Sequence, residues 1–187
     1  MTLAETFCHI DPVSLRPATP DDAHLLERWR GEPSVRRFQP IGTASTAQLR
    51  TELERQKLGD IYRAMGEKFQ WIVCSGSKPA GWITLVVTNW DHGLAEIGYA
   101  LSTEFQRQGL MPHAITQLLG DLFLQTRLER IEARCATDNE ASQKVLERVG
   151  FTLEGRLRGY FVLAGERVDN YLFAILRDDF LPPSDGN

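Results

Sequence analysis

A single glycine separates an apolar strand from a long apolar helix, and this junction constrains the fold more than any other part of the sequence. Residues 94–101 have the composition of a strand. Residues 112–126 repeat apolar side chains at i, i+1, i+4 and i+5, which favours a helix with one buried face. Gly109 lies between them, where it allows backbone N–H groups at the helix start to point outward together and bind phosphate. The junction therefore predicts a strand–turn–helix unit with an anion site.

The turn does not match the better-known phosphate-binding motifs. No Gly-Lys-Ser or Gly-Lys-Thr follows Gly109, so it is not a P-loop, and a single glycine does not make a dinucleotide-binding fingerprint. An ordinary structural glycine is the alternative interpretation. The residues of the turn that are candidates for ligand binding are Gln106, Arg107, Gln108, Gly109, Leu110 and Met111.

The N-terminal half predicts a short strand, two helices and an antiparallel meander of three strands. Thr19 is a candidate N-cap of the first helix, and Ser45 and Gln48 form a capping box at the start of a second helix that runs to Gly59. Residues 31–42 contain two prolines and resemble a loop. The predicted strands are residues 13–16, 69–74, 80–88 and 94–101.

The C-terminal half adds the helix at residues 112–126, a strand, a further helix and a final hairpin. Thr137 and Glu140 have the spacing of a second capping box, and Gly150 is the expected stop of the helix that follows. The resulting order, β-α-α-β-β-β-α-β-α-β-β, predicts a single mixed α/β domain with a core at about residues 13–177 and short tails. The strands of this half are residues 131–136, 151–163 and 167–176.

The composition is that of one globular domain that folds without disulfides or metal. The 187 residues are 42% hydrophobic and 25% charged, and a chain of this length buries about 70% of its unfolded surface. A net charge of -4 argues against bulk neutralisation of nucleic-acid phosphate. Three widely spaced cysteines without a Cys-x-x-Cys pair, and four scattered histidines, predict neither a disulfide framework nor a metal site.

The sequence also lacks the apolar segments that membranes and secretion require. The N-terminus has no apolar core of a signal peptide, and no run approaches the ~18 apolar residues of a membrane-spanning helix. We therefore expect a soluble, cytoplasmic protein with no membrane or nucleic-acid partner. A monomer and a homodimer are both compatible with the sequence.

Three further motifs flank the glycine turn in a fixed order. They are Ala95-Glu96-Ile97-Gly98-Tyr99, Asn139-Glu140-Ala141-Ser142 and Gly150-Phe151-Thr152-Leu153-Glu154-Gly155. With this order of elements, the chain resembles the GNAT acetyltransferase superfamily over about residues 13–176. Within it, the chain is similar to the RimJ/RimL-like branch, which acetylates the N-terminal amines of ribosomal proteins. The resemblance implies a twisted, mostly antiparallel sheet with helices on both faces.

The resemblance implies acetyl-CoA as the co-substrate and no metal. The phosphate motif of the family is Gln/Arg-x-x-Gly-x-Gly/Ala, which Gln106 and Gly109 match, whereas Met111 replaces the final small residue. Pro112 has no N–H, so the cradle has one donor fewer, which leaves room for looser binding. The other residues implied to bind acetyl-CoA are Tyr99, Ala100 and Leu101, through backbone groups that pair like an added strand, and Asn139 and Ser142.

The chemistry implied by the family is direct attack of a neutral amine on the thioester. Glu96 is the candidate base or water-orienting residue, and the alternative is a strand carboxylate that bridges to an arginine. Ser142 matches the position whose hydroxyl protonates the departing thiolate, and the alternative is an exposed helix serine. For Asn139, a helix cap is the alternative to cofactor binding, and both roles are compatible.

The acceptor side carries a less definite pattern. Tyr160 and Asp169, on the last two strands, are candidates to bind the ammonium of the acceptor, and Tyr160 is equally compatible with a packed strand aromatic. In the family, the first helix and the loop after it line the acceptor groove, which favours an acidic acceptor; a solvated helix face is the alternative. The arginines and aromatics of that region are Arg28, Trp29, Arg30, Arg36, Arg37 and Phe38.

Three functions remain open from the sequence. The leading interpretation is acetyl transfer to a protein N-terminal α-amine, whose pKa of about 7.7–8 requires less help with deprotonation than a lysine near about 10.4. The second is acetylation of a small amine such as a polyamine, an amino acid or an aminoglycoside. The third is a catalytically silent acyl-CoA-binding module, which the Met111 departure favours.

Overall fold

The computed structural model describes residues 12–180, and most of the two predicted tails lies outside them. Two short 3-10 turns, Pro20–Asp22 and Thr103–Phe105, precede the first helix and the glycine turn. The described strands are β1 (Val13–Pro17), β2 (Lys68–Ser75), β3 (Lys78–Asn89), β4 (Leu94–Leu101), β5 (Arg130–Ala136), β6 (Thr152–Leu163) and β7 (Glu166–Leu176). The helices are α1 (Ala23–Arg30), α2 (Pro33–Arg36), α3 (Thr46–Arg55), α4 (Leu58–Ile61), α5 (Leu110–Gln125) and α6 (Glu140–Val149).

These strands form one sheet in the order β1-β2-β3-β4-β5-β7-β6. Neighbours are antiparallel except β4 and β5, which are parallel and pair only from Leu94–Arg130 to Ile97–Ala133. Beyond this point β4 remains paired with β3 and β5 with β7, so β4 and β5 separate. We call the gap between residues 98–101 and residues 134–136 the splay. The predicted fold class, a mostly antiparallel mixed sheet between helices, is confirmed.

The helices bury two clusters, one on each face of the sheet. On the α5 face, α5 and α6 pack against the inward side chains of the central strands, in one cluster that contains Ile115 and Ile97. On the α1 face, Trp29 and Leu49 pack with Trp82, and the Trp29 and Trp82 rings stack with centroids 6.2 Å apart. Because each buried side chain of this size contributes about 1.5–3 kcal/mol, apolar packing on both faces fixes the strands that border the splay.

The second predicted helix is shorter than its sequence pattern indicates. It was expected to reach Gly59, but α3 ends at Arg55, and α4 is a separate turn of helix. Gln56 leaves the helix in an extended conformation, and its carboxamide accepts from the N–H of Gln70 at 2.8 Å and donates to the Gln70 carbonyl at 3.0 Å. This pairing with β2 explains the early end of α3.

The predicted loop at residues 31–42 contains the short helix α2. Pro33 starts this helix, where its missing N–H has no cost. The carboxylate of the preceding Glu32 accepts from the Ser102 hydroxyl at 2.9 Å and from the Thr103 N–H at 2.7 Å. These bonds attach α2 to the end of β4, directly beside the splay.

Candidate functional site

The glycine turn folds as predicted, but the helix after it begins two residues earlier. Gly109 is left-handed, with a φ of 74°, and stands at the N-cap, so α5 starts at Leu110 rather than Pro112. Arg107 is also left-handed, with a φ of 63°, which is uncommon for a residue with a side chain. Left-handed residues in a turn bring successive N–H groups to its concave side, and strained backbone of this kind concentrates at functional sites.

The backbone N–H groups of this turn are available to a ligand. No acceptor within residues 12–180 is bonded to the five N–H groups of residues 107–111. The last two belong to the first turn of α5, which carries the positive end of the helix dipole. A Cβ on Gly109 would meet no atom within 4 Å, so the space beside it is open. A row of unpaired donors in an open turn fits a phosphate or pyrophosphate group.

The glutamines of the turn are used by the fold itself. Gln106 Nε2 donates to the Leu101 carbonyl at 3.1 Å and to Ser34 Oγ at 3.3 Å. Gln108 Nε2 donates to the Glu104 carbonyl at 2.9 Å. The side chains therefore hold the turn in shape. The Gln106 N–H also donates to the Thr103 carbonyl at 3.4 Å, so of these two residues only the Gln108 N–H remains for the predicted contact with acetyl-CoA.

Met111, which replaces the small residue of the family motif, does not obstruct the turn. Leu110 and Met111 are 1% and 3% exposed, and the Met111 side chain lies in the cluster of the α5 face rather than over the N–H groups. Pro112 is the third residue of α5, where the absent N–H leaves no donor unsatisfied. Arg107 is exposed, and its guanidinium is bonded to no described residue. Its positive charge suits a bound phosphate.

Two of the three predicted β4 residues turn their backbone groups toward the splay. The Ser102 N–H donates to the Ala80 carbonyl at 2.9 Å, so by antiparallel alternation Ala100 faces β3, and Tyr99 and Leu101 face the splay. The Tyr99 carbonyl already accepts from Gln39 Nε2 at 2.7 Å. The N–H groups of Tyr99 and Leu101 thus remain for a pantetheine arm, whereas the prediction for the Ala100 backbone has no support in this geometry.

Ser142 and Tyr99 form a hydroxyl pair between α6 and β4. Tyr99 Oη and Ser142 Oγ lie 2.8 Å apart, so Ser142 is not the freely solvated helix serine of the alternative interpretation. Burial raises the pKa of Tyr99 well above its usual range, although the hydrogen bond with Ser142 opposes this rise, and the phenol stays protonated at neutral pH. Burial also raises the pKa of the neighbouring Cys135 thiol to about 11, again against a bond with Ser142. The pair can hold and donate a proton.

Asn139, rather than Thr137, caps α6. Asn139 Oδ1 accepts from the Ser142 N–H at 3.2 Å, which places Ser142 at the third helical position and its hydroxyl toward Tyr99. The predicted capping box at residues 137–140 was therefore wrong in register, while the capping alternative for Asn139 is confirmed. Its Nδ2 group is not used by the cap, so a contact with acetyl-CoA stays a prediction.

Glu96 bridges to an arginine, as its alternative interpretation states. Its Oε2 accepts from Arg134 Nη1, and Arg134 Nη2 also donates to Glu132 at 3.1 Å. The side chains of Glu96 and Arg134 are 31% and 19% exposed. Burial lowers the pKa of Arg134, but the bond to Glu96 and the charges of Glu96, Tyr160 and Glu132 together outweigh this effect, so its pKa is raised. Glu96 Oε1 is bonded to no described residue and is free to hold a water.

The two acceptor candidates on the last strands already have partners. The Arg134 guanidinium lies 5.3 Å from the centre of the Tyr160 ring, so this ring faces a cation of the protein itself. Asp169 accepts from the Gly159 N–H at 2.6 Å and from Arg156 Nε at 2.7 Å. Arg134 thus links Tyr160 to Glu96, because it contacts the Tyr160 ring and donates to the Glu96 carboxylate. Asp169 is bonded to two residues of β6, Arg156 and Gly159.

No described bond joins the predicted arginines of the acceptor side to this group. Arg36 is exposed and lines a cavity together with Arg30. The Arg37 guanidinium lies 4.9 Å from the Phe38 ring. Within residues 12–180, neither Arg36 nor Arg37 is bonded to Glu96 or Tyr160.

Three residues that contribute to the site were missed from the sequence. Arg134 was signalled by the alternation of charge along β5, since Arg130, Glu132 and Arg134 share one strand face. Asn170 is 1% exposed, its Nδ2 has no partner, and it lies opposite Ala136 at the end of β5. A polar residue inside the apolar β7 run was its signal. Gln39 had none, because its bond to Tyr99 joins segments 60 residues apart.

Two kinds of feature are absent from the described part of the chain. Residues 12–180 contain no group of three or more His, Cys, Asp or Glu side chains that could hold a metal ion. No helix among them is both long and apolar enough to span a membrane.

Comparison with known proteins gives one family. The model of the acetyltransferase (GNAT) domain matches residues 13–152, which covers β1 to the start of β6. The uncharacterized N-acetyltransferase p20 of Bacillus licheniformis is 27% identical over 174 residues, which are 92% of this chain and 97% of that protein. The ribosomal protein uS5-alanine N-acetyltransferase of Escherichia coli is 30% identical over 86 residues, 46% of this chain and 44% of that enzyme.

A solved structure shares the whole architecture. The spermidine N-acetyltransferase of Vibrio cholerae, in complex with CoA and spermine, superposes with a TM-score of 0.79 at 20% identity, over 90% of this chain and 97% of that one. With the family model across three quarters of the chain and the unpaired N–H groups of the turn, the chain belongs to the GNAT acetyltransferase family and is an acetyl-CoA-dependent N-acetyltransferase.

Proposed function

We propose that the chain transfers the acetyl group of acetyl-CoA to the α-amine of a protein N-terminus. The observation that carries this acceptor is the bond between Glu96 and Arg134. Both acids on the strands that border the splay are held by arginines, Glu96 by Arg134 and Glu132 by Arg130 and Arg134. A site without an unpaired carboxylate suits an amine that loses its proton easily.

The protonation equilibrium of the acceptor decides between the candidate amines. At pH 7.5, about a quarter to two fifths of an α-amine with a pKa of about 7.7–8 is neutral, against about 0.1% of an alkyl amine near about 10.4. A polyamine or lysine therefore needs a strong base and an acidic pocket. The described cavity beside α1 instead carries two arginines, Arg30 and Arg36.

Each residue of the site has a proposed task. When bound, acetyl-CoA supplies the thioester that the neutral amine attacks. The N–H groups of Tyr99 and Leu101 hold the pantetheine arm beside β4, and those of residues 107–111 hold the phosphates. Glu96 Oε1 orients a water that takes the proton of the amine, and the Tyr99–Ser142 pair holds the proton that the sulfur requires.

Acetylation of a small amine is the second candidate. The cavity beside α1, of about 320 Å³, is large enough for a small molecule. The structural neighbour bound to spermine shows that this fold can hold a polyamine in another protein. The relative that acts on ribosomal protein uS5 supports the N-terminal acceptor over the half of the chain that it matches.

The acceptor class is tested by release of the CoA thiol from acetyl-CoA over a matched panel. The panel contains peptides with a free N-terminus and one internal lysine, the same peptides with a formylated N-terminus, spermidine, and free amino acids. Mass spectrometry then locates the acetyl group.

We expect turnover of the free peptides with the acetyl group on the N-terminus, and none of the formylated ones. Turnover of spermidine or amino acids alone would transfer the assignment to the small-amine candidate. Binding of acetyl-CoA with no turnover of any amine would leave only the third interpretation, a catalytically silent acyl-CoA-binding module.

A further inference from the structure

A cavity of about 320 Å³ lies between the end of α1, the end of α2 and the start of α3. Its polar lining consists of the side chains of Glu27, Arg30, Arg36, Thr43 and Ser45. No residue that we assigned to acetyl-CoA lines it. The cavity is therefore separate from the turn and from the splay.

The two arginines of the cavity have no bonded partner within residues 12–180. Arg30 is half-buried, its Nε is buried without an acceptor, and no described carboxylate pairs with its guanidinium. Burial lowers the pKa of Arg30, against the opposing effect of Glu52. Since a partly buried charge without a protein partner is costly, Arg30 is available to an anionic ligand.

The one acid in the cavity does not neutralise these arginines. Glu27 accepts a hydrogen bond from the Thr46 hydroxyl at the start of α3, and it is bonded to neither arginine. Two arginines and one carboxylate leave a net positive charge. The Thr43 hydroxyl adds a neutral donor, whereas the Ser45 hydroxyl already donates to Gln48 Oε1 at 3.2 Å. The lining therefore matches a carboxylate or phosphate chiefly in charge.

The cavity lies on the same side of the sheet as Glu96. Ala100 packs with the cluster of the α1 face, and Glu96 shares that face by the alternation of β4 side chains. Trp29, which precedes Arg30, stacks on Trp82, and Trp82 is the register partner of Ala100. The cavity thus lies on the Glu96 face, opposite α5 and α6.

We propose that this cavity binds an anionic group of the acceptor and selects amines that carry a carboxylate or phosphate. The inference rests on the acetyl transfer proposed above and adds the charge of its substrate. In a peptide acceptor, the anion is an acidic side chain within the first few residues. In a small acceptor, it is the acid group of the molecule itself.

Binding of the anion is tested first without catalysis. The thermal stability of the full chain is measured in phosphate and in chloride at equal ionic strength, for the wild type, Arg30→Gln and the control Arg55→Gln. Arg55 is an exposed arginine at the end of α3 and lies outside the cavity. With CoA present at saturation, so that the phosphate-binding turn is occupied, we expect phosphate to raise the melting temperature of the wild type and the control more than that of Arg30→Gln.

The same measurement separates binding from a structural role of Arg30. In chloride, Arg30→Gln should melt at the same or a higher temperature, because the substitution removes a desolvated charge without a partner. A lower melting temperature in chloride, with the phosphate effect retained, would make Arg30 a structural residue and overturn the inference.

Selectivity is tested with pairs of acceptors that differ in one acid. One pair is a peptide with Glu or Gln at its third position, and the other is 4-aminobutyrate and 4-aminobutanol. We expect kcat/KM to favour the acid about 10-fold in whichever pair is acetylated, and Arg30→Gln and Arg36→Gln to reduce this preference to about 2-fold.

The peptide pair and the 4-aminobutyrate pair together distinguish failure of this inference from failure of the proposed function. Equal rates within the peptide pair, unaffected by either substitution, would overturn the anion site and leave N-terminal acetylation intact. Turnover of 4-aminobutyrate over 4-aminobutanol, with no turnover of peptides, would support the anion site and refute the peptide acceptor.

Discussion

The glycine turn presents unpaired backbone N–H groups, whereas the α1 face of the sheet presents paired and unpaired charged side chains. The first set comes from one continuous segment, residues 107–111, and depends on two left-handed residues. The second set comes from separate elements, with Glu96 on β4, Arg134 on β5 and Arg30 on α1. The first set, which we call the backbone side, is shaped by local conformation. The second set, the charged side, is shaped by long-range packing.

This difference explains why the family is evident and the acceptor is not. A backbone cradle tolerates side-chain changes such as Met111, whose side chain lies in the core. Charged side chains on a strand face change specificity with a single substitution, because a paired charge and an unpaired one attract different ligands. Substitutions on the two sides should therefore have different signatures, and four predictions test this contrast.

The largest effect is expected where the two sides meet, at the Tyr99–Ser142 hydroxyl pair. Ser142→Ala and Tyr99→Phe should each lower kcat about 100-fold, because they remove a proton donor, and should leave the Kd of CoA nearly unchanged. The double variant should be little slower than either single one, since the two hydroxyls act as a unit. Steady-state kinetics and calorimetry measure both quantities.

The pH dependence adds a second test of this pair. Burial raises the pKa of Tyr99, so the phenol remains a donor as the pH rises through the usual tyrosine value of about 10. No loss of kcat from this group is expected below that pH. In the double variant, a loss of kcat equal to the product of the two single losses would contradict the paired role of Tyr99 and Ser142.

The next effect concerns the backbone side alone. Gly109→Val should raise the Kd of CoA at least about 10-fold, because a left-handed φ of 74° costs a β-branched residue more than about 1–2 kcal/mol and the N–H groups move. Gly165→Val is the matched control, since Gly165 in the β6–β7 hairpin has a φ of 88° and equally open space. It should lose similar stability and bind CoA normally. Equal loss of CoA binding in both would refute the cradle.

A smaller effect is expected on the charged side. Glu96→Gln should lower the free energy of unfolding by about 1 kcal/mol, since Arg134 loses one of its two acidic partners near the surface. It should also lower kcat/KM about 10-fold, most strongly below neutral pH, where the amine most needs a proton acceptor.

Glu154→Gln is the control for this prediction. Glu154 pairs with Arg130 at the outer end of the same row of charges and is remote from the splay by position on β6. It should affect stability comparably and leave the pH–rate profile intact. An unchanged profile in Glu96→Gln would remove Glu96 from the mechanism and leave it a structural partner of Arg134.

The smallest effect is expected at Gln39, which joins the two sides through the Tyr99 carbonyl. Gln39→Ala removes one hydrogen bond of about 1 kcal/mol, so the KM values for acetyl-CoA and for the acceptor should both change by up to about 5-fold. A change in only one of the two KM values would show that the loop serves that side alone.

The sequence predicted the features that depend on local conformation. The strand–glycine–helix junction, the meander and the Gly150 helix stop all rest on neighbouring residues, and Gly150 is left-handed with a φ of 103°. Errors occurred where a distant contact changed a local preference. The α3 helix ends early because Gln56 pairs with β2, and residues 31–42 form α2 because Glu32 is bonded to the end of β4.

The candidate site divides in the same way. Gly109 and Ser142 could be located from motifs because their roles follow from the start of a helix. The partner of Glu96 could not be identified, since Arg134 lies 38 residues away and reaches it only after β4 and β5 become neighbours. The unpaired state of Arg30 is likewise a property of the folded chain, because a sequence does not show which charges lack partners.

The most direct test of the account is a titration of the 15N-labelled protein with CoA, followed by amide chemical shifts. The central claim is that the backbone N–H groups of residues 107–111, together with those of Tyr99 and Leu101, bind the cofactor. We predict that these amides show the largest shifts, and that the amides lining the Arg30 cavity change little until an acidic acceptor is added. Large shifts at the cavity with CoA alone, and none at residues 107–111, would contradict the account.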